Sequence, residues 1–387
     1  MFKLLKQAVS HGLHTLTERR VYLVCLTVVP IAFTLFFISL MDEGLPLKVP
    51  SGVVDLDHSS LSREVTRSLG SSELVDICER PESYHKAMEA VRSGKINGFF
   101  MIPENFQRNA IGGRTPTITY YCNLTYFVPG SLMFKGFKTT AVTTAGALVQ
   151  TDLVSAGVSD RTASTLIQPM TIQIQAIGNP WMNYNYYLTN SFVPGVIALM
   201  VALVAAYTIC VEIKERRSRL WLERSGNSIV VALAGMLGPQ TVIAIAVGVA
   251  CQALMYGFNH FPMNCPSWHM VLAMALMVIA SQSFAVTMCC LIPNLRLAVS
   301  LCSLSGILAF SLAAFSFPVS SMYPALGAFS YILPVRYYFL IYIDQALNGI
   351  PLYYSRWFYI VLALFPLLPL CLLWRLKKRL LAQQYIP

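Results

Sequence analysis

No stretch of this sequence reads GxxxxGK[ST], so it has no phosphate cradle of the usual kind. HExxH, GxSxG and paired-cysteine metal patterns are missing as well, which removes the common zinc and serine-nucleophile chemistries. His11, His14, His58, His85, His260 and His269 form no recognisable ligand set and read as surface or polar-border residues. Charge is scarce: 12% of residues are charged, 56% are apolar and the mean hydropathy is +0.58. A soluble domain carries about twice that charge. An ordinary soluble enzyme is therefore excluded.

Six runs have no charge at all: Val21–Met41, Phe192–Val211, Ile229–Tyr256, Met270–Ile292, Leu297–Pro318 and Trp357–Trp374. Crossing a bilayer core takes about 20 residues of helix, and these runs reach that length or come close to it. One such run fits a buried core helix; six in one chain do not. The polar exceptions within them, such as Gln240, Gln252, Gln282, Ser281, Ser283 and Thr287, read as bonds between neighbouring helices. With nothing that titrates inside the runs, a proton- or sodium-coupled pump is disfavoured.

Seven of the ten cysteines fall inside the apolar runs, where they act as small hydrophobes. Cys78, Cys122 and Cys265 lie outside them and make no disulfide framework, although a Cys78–Cys122 bridge stays open in an oxidising compartment. The start of the chain reads as an uncleaved anchor rather than a signal peptide, because "FISLMDEG" offers no small-residue cleavage site.

The net charge of +10 is not spread evenly. Lys3, Lys6, Arg19 and Arg20 precede the first run, Lys214–Arg224 follows the second, Arg296 the fourth, and Arg375–Arg379 the sixth. All fall on one side if each run crosses once, which puts both termini in the cytoplasm. The segment 42–190 carries twelve Lys/Arg against thirteen Asp/Glu and falls outside. The basic balance is thus topological, and nucleic acid is not implied.

Residues 1–20 place Leu4, Leu5, Val9, Leu13 and Leu16 on one helical face, as in a helix lying in the membrane interface; a plain basic flank is the alternative. In 42–190, "SGVVDLD", "ELVDICE", "KINGFFMIP", "TPTITYYCN" and "MTIQIQAI" read as strands. "SSLSREVTRSL" is a helix capped by Ser59 or Ser60, and "PESYHKAMEAVRSG" a helix begun by Pro81 and stopped by Gly94. A longer helical stretch runs from about Phe127 to Ala156. This alternation predicts an α/β domain. The Asn123 sequon carries no weight.

Residues 319–356 are apolar but interrupted by Pro334 and Arg336. They read as a re-entrant outer hairpin packed against protein. Arg336 and Asp344 within it either pair or act as headgroup anchors.

"VEIKERRSRLWLERSG" (Val211–Gly226) holds five Lys/Arg and three Glu between two uncharged runs. Mixed charge around an exposed Leu220-Trp221-Leu222 suits a docking surface. A solvated, positive-inside loop with Trp221 at the headgroups fits equally well.

Four stretches together resemble the permease subunits of the type-2 ABC exporter family, in the drug-exporter branch with a large extracytoplasmic domain. "AMEAVRSGKINGFFMIPENF" matches at Gly94, Gly98, Ile102, Pro103 and Phe106, and "NPWMNYNYYLTNSFVPG" at Asn179, Pro180, Pro194 and Gly195. "FSFPVSSMYPALGAFSYILPVRYYF" matches at Pro318, Met322, Pro324, Leu333, Pro334, Arg336 and Tyr337. The fourth is the charged loop, where Glu212, Glu215 and Arg216 fit the start of the family's coupling helix; its Gly-Thr pair is replaced around Ser218–Arg219.

The resemblance implies six transmembrane helices with an inserted extracytoplasmic α/β domain at 42–190, after a first span at 21–41. Spans two to six then occupy 191–374, with a coupling loop at 212–228, the hairpin at 319–356 and a cytoplasmic tail at 375–387. It assigns ATPase coupling to Glu212, Glu215, Arg216, Arg217, Leu220, Trp221 and Leu222. It implies a non-catalytic exporter subunit in the bacterial inner membrane that moves hydrophobic or amphipathic molecules outward. The chain itself would hold no metal or cofactor; ATP and Mg would bind a partner ABC ATP-binding subunit. A second permease copy or paralogue, membrane lipids, a periplasmic adaptor and an outer-membrane channel are the other implied partners. The rival reading is a membrane sensor or assembly scaffold that uses 42–190 for ligand or partner binding.

Overall fold

The computed structural model describes every residue except Met1, Glu43, Leu45, Pro46, Gly113, Thr115, Pro116, 124–126, 168–178, 180–182, Ser316 and 384–387. The chain divides into two units, one of Met1–Gly44 with Ala176–Pro387 and the other of Leu45–Gln175. The first unit opens with helix α1 (Phe2–Glu18), followed by α2 (Arg20–Leu40). Within α2 the turn Val24–Val28 is widened into a π turn just before Pro30. Proline has no N–H to donate and its ring collides with the carbonyl four residues back, so a locally wider turn lets the helix continue through it.

The second unit contains β1 (Val49–Asp55), α3 (Ser60–Gly70), β2 (Val75–Glu79), α4 (Tyr84–Arg92), β3 (Gly98–Ile102), α5 (Phe106–Ile111), β4 (Thr119–Cys122), α6 (Phe127–Ser155) and α7 (Asp160–Ile167). Strand order is β2-β1-β3-β4, with β1 parallel to both β2 and β3, and β4 antiparallel at the edge. Val53 and Val54 on the central β1 point to opposite faces and are both buried, so apolar cores lie on each side of the sheet. Ser59 caps α3, its Oγ accepting the Ser62 N–H at 3.1 Å. Ser83 caps α4, which therefore begins at Tyr84 rather than at Pro81. Cys78 lies on β2 and Cys122 on β4, at opposite edges. Three strand spacings separate them by about 14 Å, whereas a disulfide needs Cα atoms within about 7 Å. The bridge left open by the sequence does not form. The expected strand Met170–Ile177 lies outside the described residues.

The first unit resumes with α8 (Tyr184–Lys214), α9 (Ser218–Arg224), α10 (Ile229–Phe258), α11 (Ser267–Leu291) and α12 (Leu295–Leu312). It ends with α13 (Pro324–Ser330), α14 (Pro334–Leu347), α15 (Leu352–Leu370) and α16 (Leu373–Ala382). Among the described residues six helices are long and apolar enough to cross a membrane: α2, α8, α10, α11, α12 and α15. The fifth of these stops at Leu312 rather than Pro318, and the sixth starts at Leu352 rather than Trp357. The α8 helix is central, with 72% of its most apolar window buried. It meets α12 closely: a Cβ on Gly195 would lie 2.5 Å from the Phe310 ring, and one on Gly306 2.4 Å from Leu199. The buried glutamines bond between helices, Gln240 to Thr208 at 3.1 Å and Gln282 to Thr241 at 2.7 Å.

Candidate functional site

The charged stretch folds into two helix ends set back to back. The α8 helix closes in a Schellman turn: the Arg217 N–H donates to the Glu212 carbonyl at 2.9 Å, and the Arg216 N–H to Ile213 at 3.2 Å. Arg216 occupies the left-handed position with φ 57°, where glycine is the usual residue. The α9 helix closes the same way, with Asn227 donating to Leu222 at 2.8 Å and Gly226 left-handed. A short, rigid helix results, with one face in and one face out. Trp221 and Leu222 point inward and are fully buried against Ile213, Met236, Leu376 and Leu380. The exposed Leu-Trp-Leu expected from the sequence is therefore corrected: apolar surface from α8, α10 and α16 converges there and takes the indole out of reach of any partner. Leu220, Arg219 and Glu223 form the outer face, with Leu220 at 56% exposure and Arg219 Nε 3.1 Å from Glu223. From behind, Ser218 Oγ donates to the Leu380 carbonyl at 2.6 Å and Gln383 Nε2 to the Arg216 carbonyl at 2.9 Å.

The first helix completes the arrangement. A Cβ on Gly12 would stand 2.3 Å from the Gly235 carbonyl, and one on Gly235 2.3 Å from Ala8, so small residues let α1 lie directly on α10. The readable signal for this contact is Ala8-x-x-x-Gly12. On the side away from α10, Leu5 and Leu13 stay exposed. Arg19 donates to Glu215, and Arg217 pairs with Glu215 as well. Arg217 also approaches Glu18 and Glu212 at 3.9 Å, and His11 Nε2 lies 4.0 Å from Glu212. Glu212 is 1% exposed and neither carboxylate oxygen has a hydrogen-bond partner among the described residues. Burial, then the guanidiniums of Arg224 and Arg217, hold the His11 imidazole below its ordinary pKa, so it is neutral near pH 7. A 660 Å³ chamber opens between α1 and α9, lined by Gln7, Ser10 and His14 on one side and Leu220 and Arg224 on the other. This arrangement can pass a displacement of α9 to α1 and α8 together.

The other candidate residues gather elsewhere. Asn179 donates to the Asn183 carbonyl at 2.8 Å, and Asn183 caps α8 by accepting from Asn185 and Tyr186. Pro194 and Gly195 sit inside α8, and Pro180 lies outside the described residues. Pro324 and Pro334 begin α13 and α14, which meet at an 81° bend. Pro318 is exposed and Met322 half-buried in the approach to α13. Tyr337 Oη donates to the Tyr331 carbonyl at 2.8 Å, which ties the bend together. Most of α14 is buried in the core shared with α8, α10 and α11, and Gln252 of α10 donates to Tyr338 Oη at 3.0 Å.

Arg336 does not pair with Asp344. The aspartate accepts from Ser355 at 3.2 Å, while the guanidinium lies 4.7 Å from the Tyr331 ring centre. Arg336 is 8% exposed, and its Nε and Nη1 have no hydrogen-bond partner among the described residues.

Comparison with known families matches residues 20–375 to the family described as ABC-2 family transporter protein. No curated protein matches the chain.

Proposed function

Because the chain belongs to the ABC-2 family of transporter proteins, we propose that it is the permease of an ATP-driven exporter whose α9 helix receives the stroke of a separate ATP-binding subunit. It is a multi-pass membrane protein, and the family implies an ABC ATP-binding partner. One observation carries the coupling assignment. The α9 helix presents Leu220, Arg219 and Glu223 outward while its other face is locked to α8, α10 and α16. A partner resting on that face moves a braced helix rather than a loose loop. Closure of the ATP-bound subunits would bias two states of the bundle unequally, which is what ATP must do to drive alternating access.

The excess of Lys/Arg at 3–20, 214–224 and 375–379 supports a cytoplasmic position for α1, α9 and α16, and an extracytoplasmic one for the α/β unit. The exposed stripe of Leu5 and Leu13 suits α1 to the membrane interface. We place the protein in a bacterial inner membrane and expect a second permease copy or paralogue. The α/β unit is a candidate platform for a periplasmic adaptor leading to an outer-membrane channel. Between Tyr184 and Val211 the central helix carries no ionisable acid or base apart from tyrosine and cysteine, which supports hydrophobic or amphipathic cargo.

The test is co-reconstitution with the ATP-binding subunit that copurifies in mild detergent. Arg219→Glu with Leu220→Ala should abolish permease-dependent stimulation of ATP hydrolysis while insertion and melting stay unchanged. Unchanged stimulation removes α9 as the coupling element. Absence of any copurifying ATPase favours the sensor or scaffold reading.

A further inference from the structure

Among the described residues the buried guanidinium of Arg336 has no counter-ion, and its depth in the bundle makes that absence informative. The Leu347 end of α14 is pinned to the loop between α10 and α11, with Asn264 Nδ2 donating to the Leu347 carbonyl at 2.7 Å. Eleven residues separate Arg336 from Leu347, which at 1.5 Å each is about 16 Å along the helix axis. A bilayer core is about 30 Å thick. The neighbours agree with mid-depth. Leu333, Pro334 and Val335 share a narrow apolar crevice with Ala198 of α8, Ser281 of α11 and Gly306 of α12. Ser281 is itself fourteen residues along α11 from Ser267.

Helical side chains lean toward the N-terminus of their helix. That of Arg336 does so, its guanidinium lying over the ring of Tyr331, just ahead of the α14 start. Leu333 offers no capping side chain, Pro334 has no N–H and the Arg336 N–H is held by the Leu333 carbonyl at 3.3 Å, so this end draws an anion through its dipole more than through free donors. The positive end of a fourteen-residue helix, whose Leu333, Pro334 and Val335 line the crevice, thus lies next to a buried guanidinium that rests on the Tyr331 ring and whose Nε and Nη1 have no hydrogen-bond partner among the described residues. Leaving a guanidinium unpaired in such surroundings is costly, so the position calls for an anion.

We propose that Arg336 and the N-terminus of α14 form a binding site for an anionic group, phosphate or carboxylate, carried by an amphipathic cargo molecule. The proposal rests on the permease reading and names its substrate class. The acyl portion of the cargo lies along the apolar faces of α8 and α12, and the anion pairs with Arg336.

The test uses the full chain in phosphatidylcholine nanodiscs, with dodecyl phosphate and dodecanoate as probes and dodecanol and dodecyltrimethylammonium as controls. Only the two anions should raise the melting temperature of the wild type. Arg336→Gln should lose the shift, and Arg336→Lys should keep part of it, since charge remains without the planar fork. In vesicles with the ATP-binding subunit, Arg336→Gln should lower transport of dodecyl phosphate by about thirtyfold or more, the usual effect of removing one member of a buried ion pair. Dodecanol transport should be unchanged. If phosphatidylglycerol in the nanodisc stabilises the protein through Arg336 while dodecyl phosphate transport ignores the substitution, the residue holds a structural lipid and the proposal is overturned. It is equally overturned if Arg336→Gln melts lower by the same amount with and without every probe, because a protein group then satisfies the cation. ATP-supplied vesicles holding the wild type and the ATP-binding subunit that move none of the four compounds would count against the permease reading instead.

Discussion

Replacing Trp221 by alanine separates the two roles that this position was open to. The side chain is 1% exposed and packed among residues of α8, α10 and α16. Truncating a buried tryptophan costs about 3–5 kcal/mol through lost transfer energy and the cavity left behind. With an unfolding entropy of about 2.1 cal/mol/K per residue, a chain of 387 residues then melts about 4–6 °C lower. Leu220→Ala next to it, on the exposed face, stays within about 0.5 kcal/mol. Differential scanning fluorimetry in detergent reads both variants, and ATP hydrolysis in the presence of the ATP-binding subunit reads coupling. The expected pattern is a lowered melting point for Trp221→Ala and an unchanged one for Leu220→Ala with weakened stimulation. A Trp221→Ala protein that melts like the wild type yet loses stimulation would refute the burial argument and restore tryptophan as a docking anchor.

Three further outcomes follow from the same region. Arg216→Gly relieves a left-handed arginine in the α8 closing turn and should stabilise by about 0.5–1 kcal/mol, seen as a melting point about 1 °C higher. Gly235→Leu drives a side chain into Ala8, so α1 should detach and trypsin should cut at Arg19–Arg20 about tenfold faster or more; unchanged proteolysis would mean that α1 does not rest on α10. His11 has a folded pKa below its unfolded value of about 6.5. The groups around it are Arg217, Arg224, His14, Glu18 and Glu212. Its contribution to stability is therefore complete above about pH 6.5 and lost as pH falls below it, because the unfolded chain takes up the proton first. Melting should drop between pH 7.5 and 5.5, and His11→Asn should flatten that slope.

How much of this was legible in the sequence depends on how local each cause is. The four strands seen were readable because glycine, proline and asparagine bound short β-branched or aromatic runs. The Ser59 cap was readable because it precedes the apolar spacing of α3. Helix ends were less so: α12 stops at Leu312 within an uncharged run, where hydropathy has no reason to change. The burial of Trp221 was invisible because half of what covers it comes from Leu376 and Leu380, more than 150 residues away. The contact of α1 with α10 had a signal in Ala8-x-x-x-Gly12, yet the apolar spacing of Leu5, Val9 and Leu13 pointed to the other face of the helix. The solitude of Arg336 is set within one helix: Asp344 lies eight residues further along α14, about 12 Å away on the axis, while the Arg336 side chain turns the other way, over the Tyr331 ring.

The two hydrogen bonds that tie α16 to the turn, from Ser218 to Leu380 and from Gln383 to Arg216, bear on how the molecule can be handled. A fluorescent reporter or affinity handle joined directly after Ala382 would tug on the same braced helix proposed above to receive the ATPase stroke. Inserting a flexible spacer there, or moving the handle to the exposed connection between α6 and α7, leaves that lever under its native load.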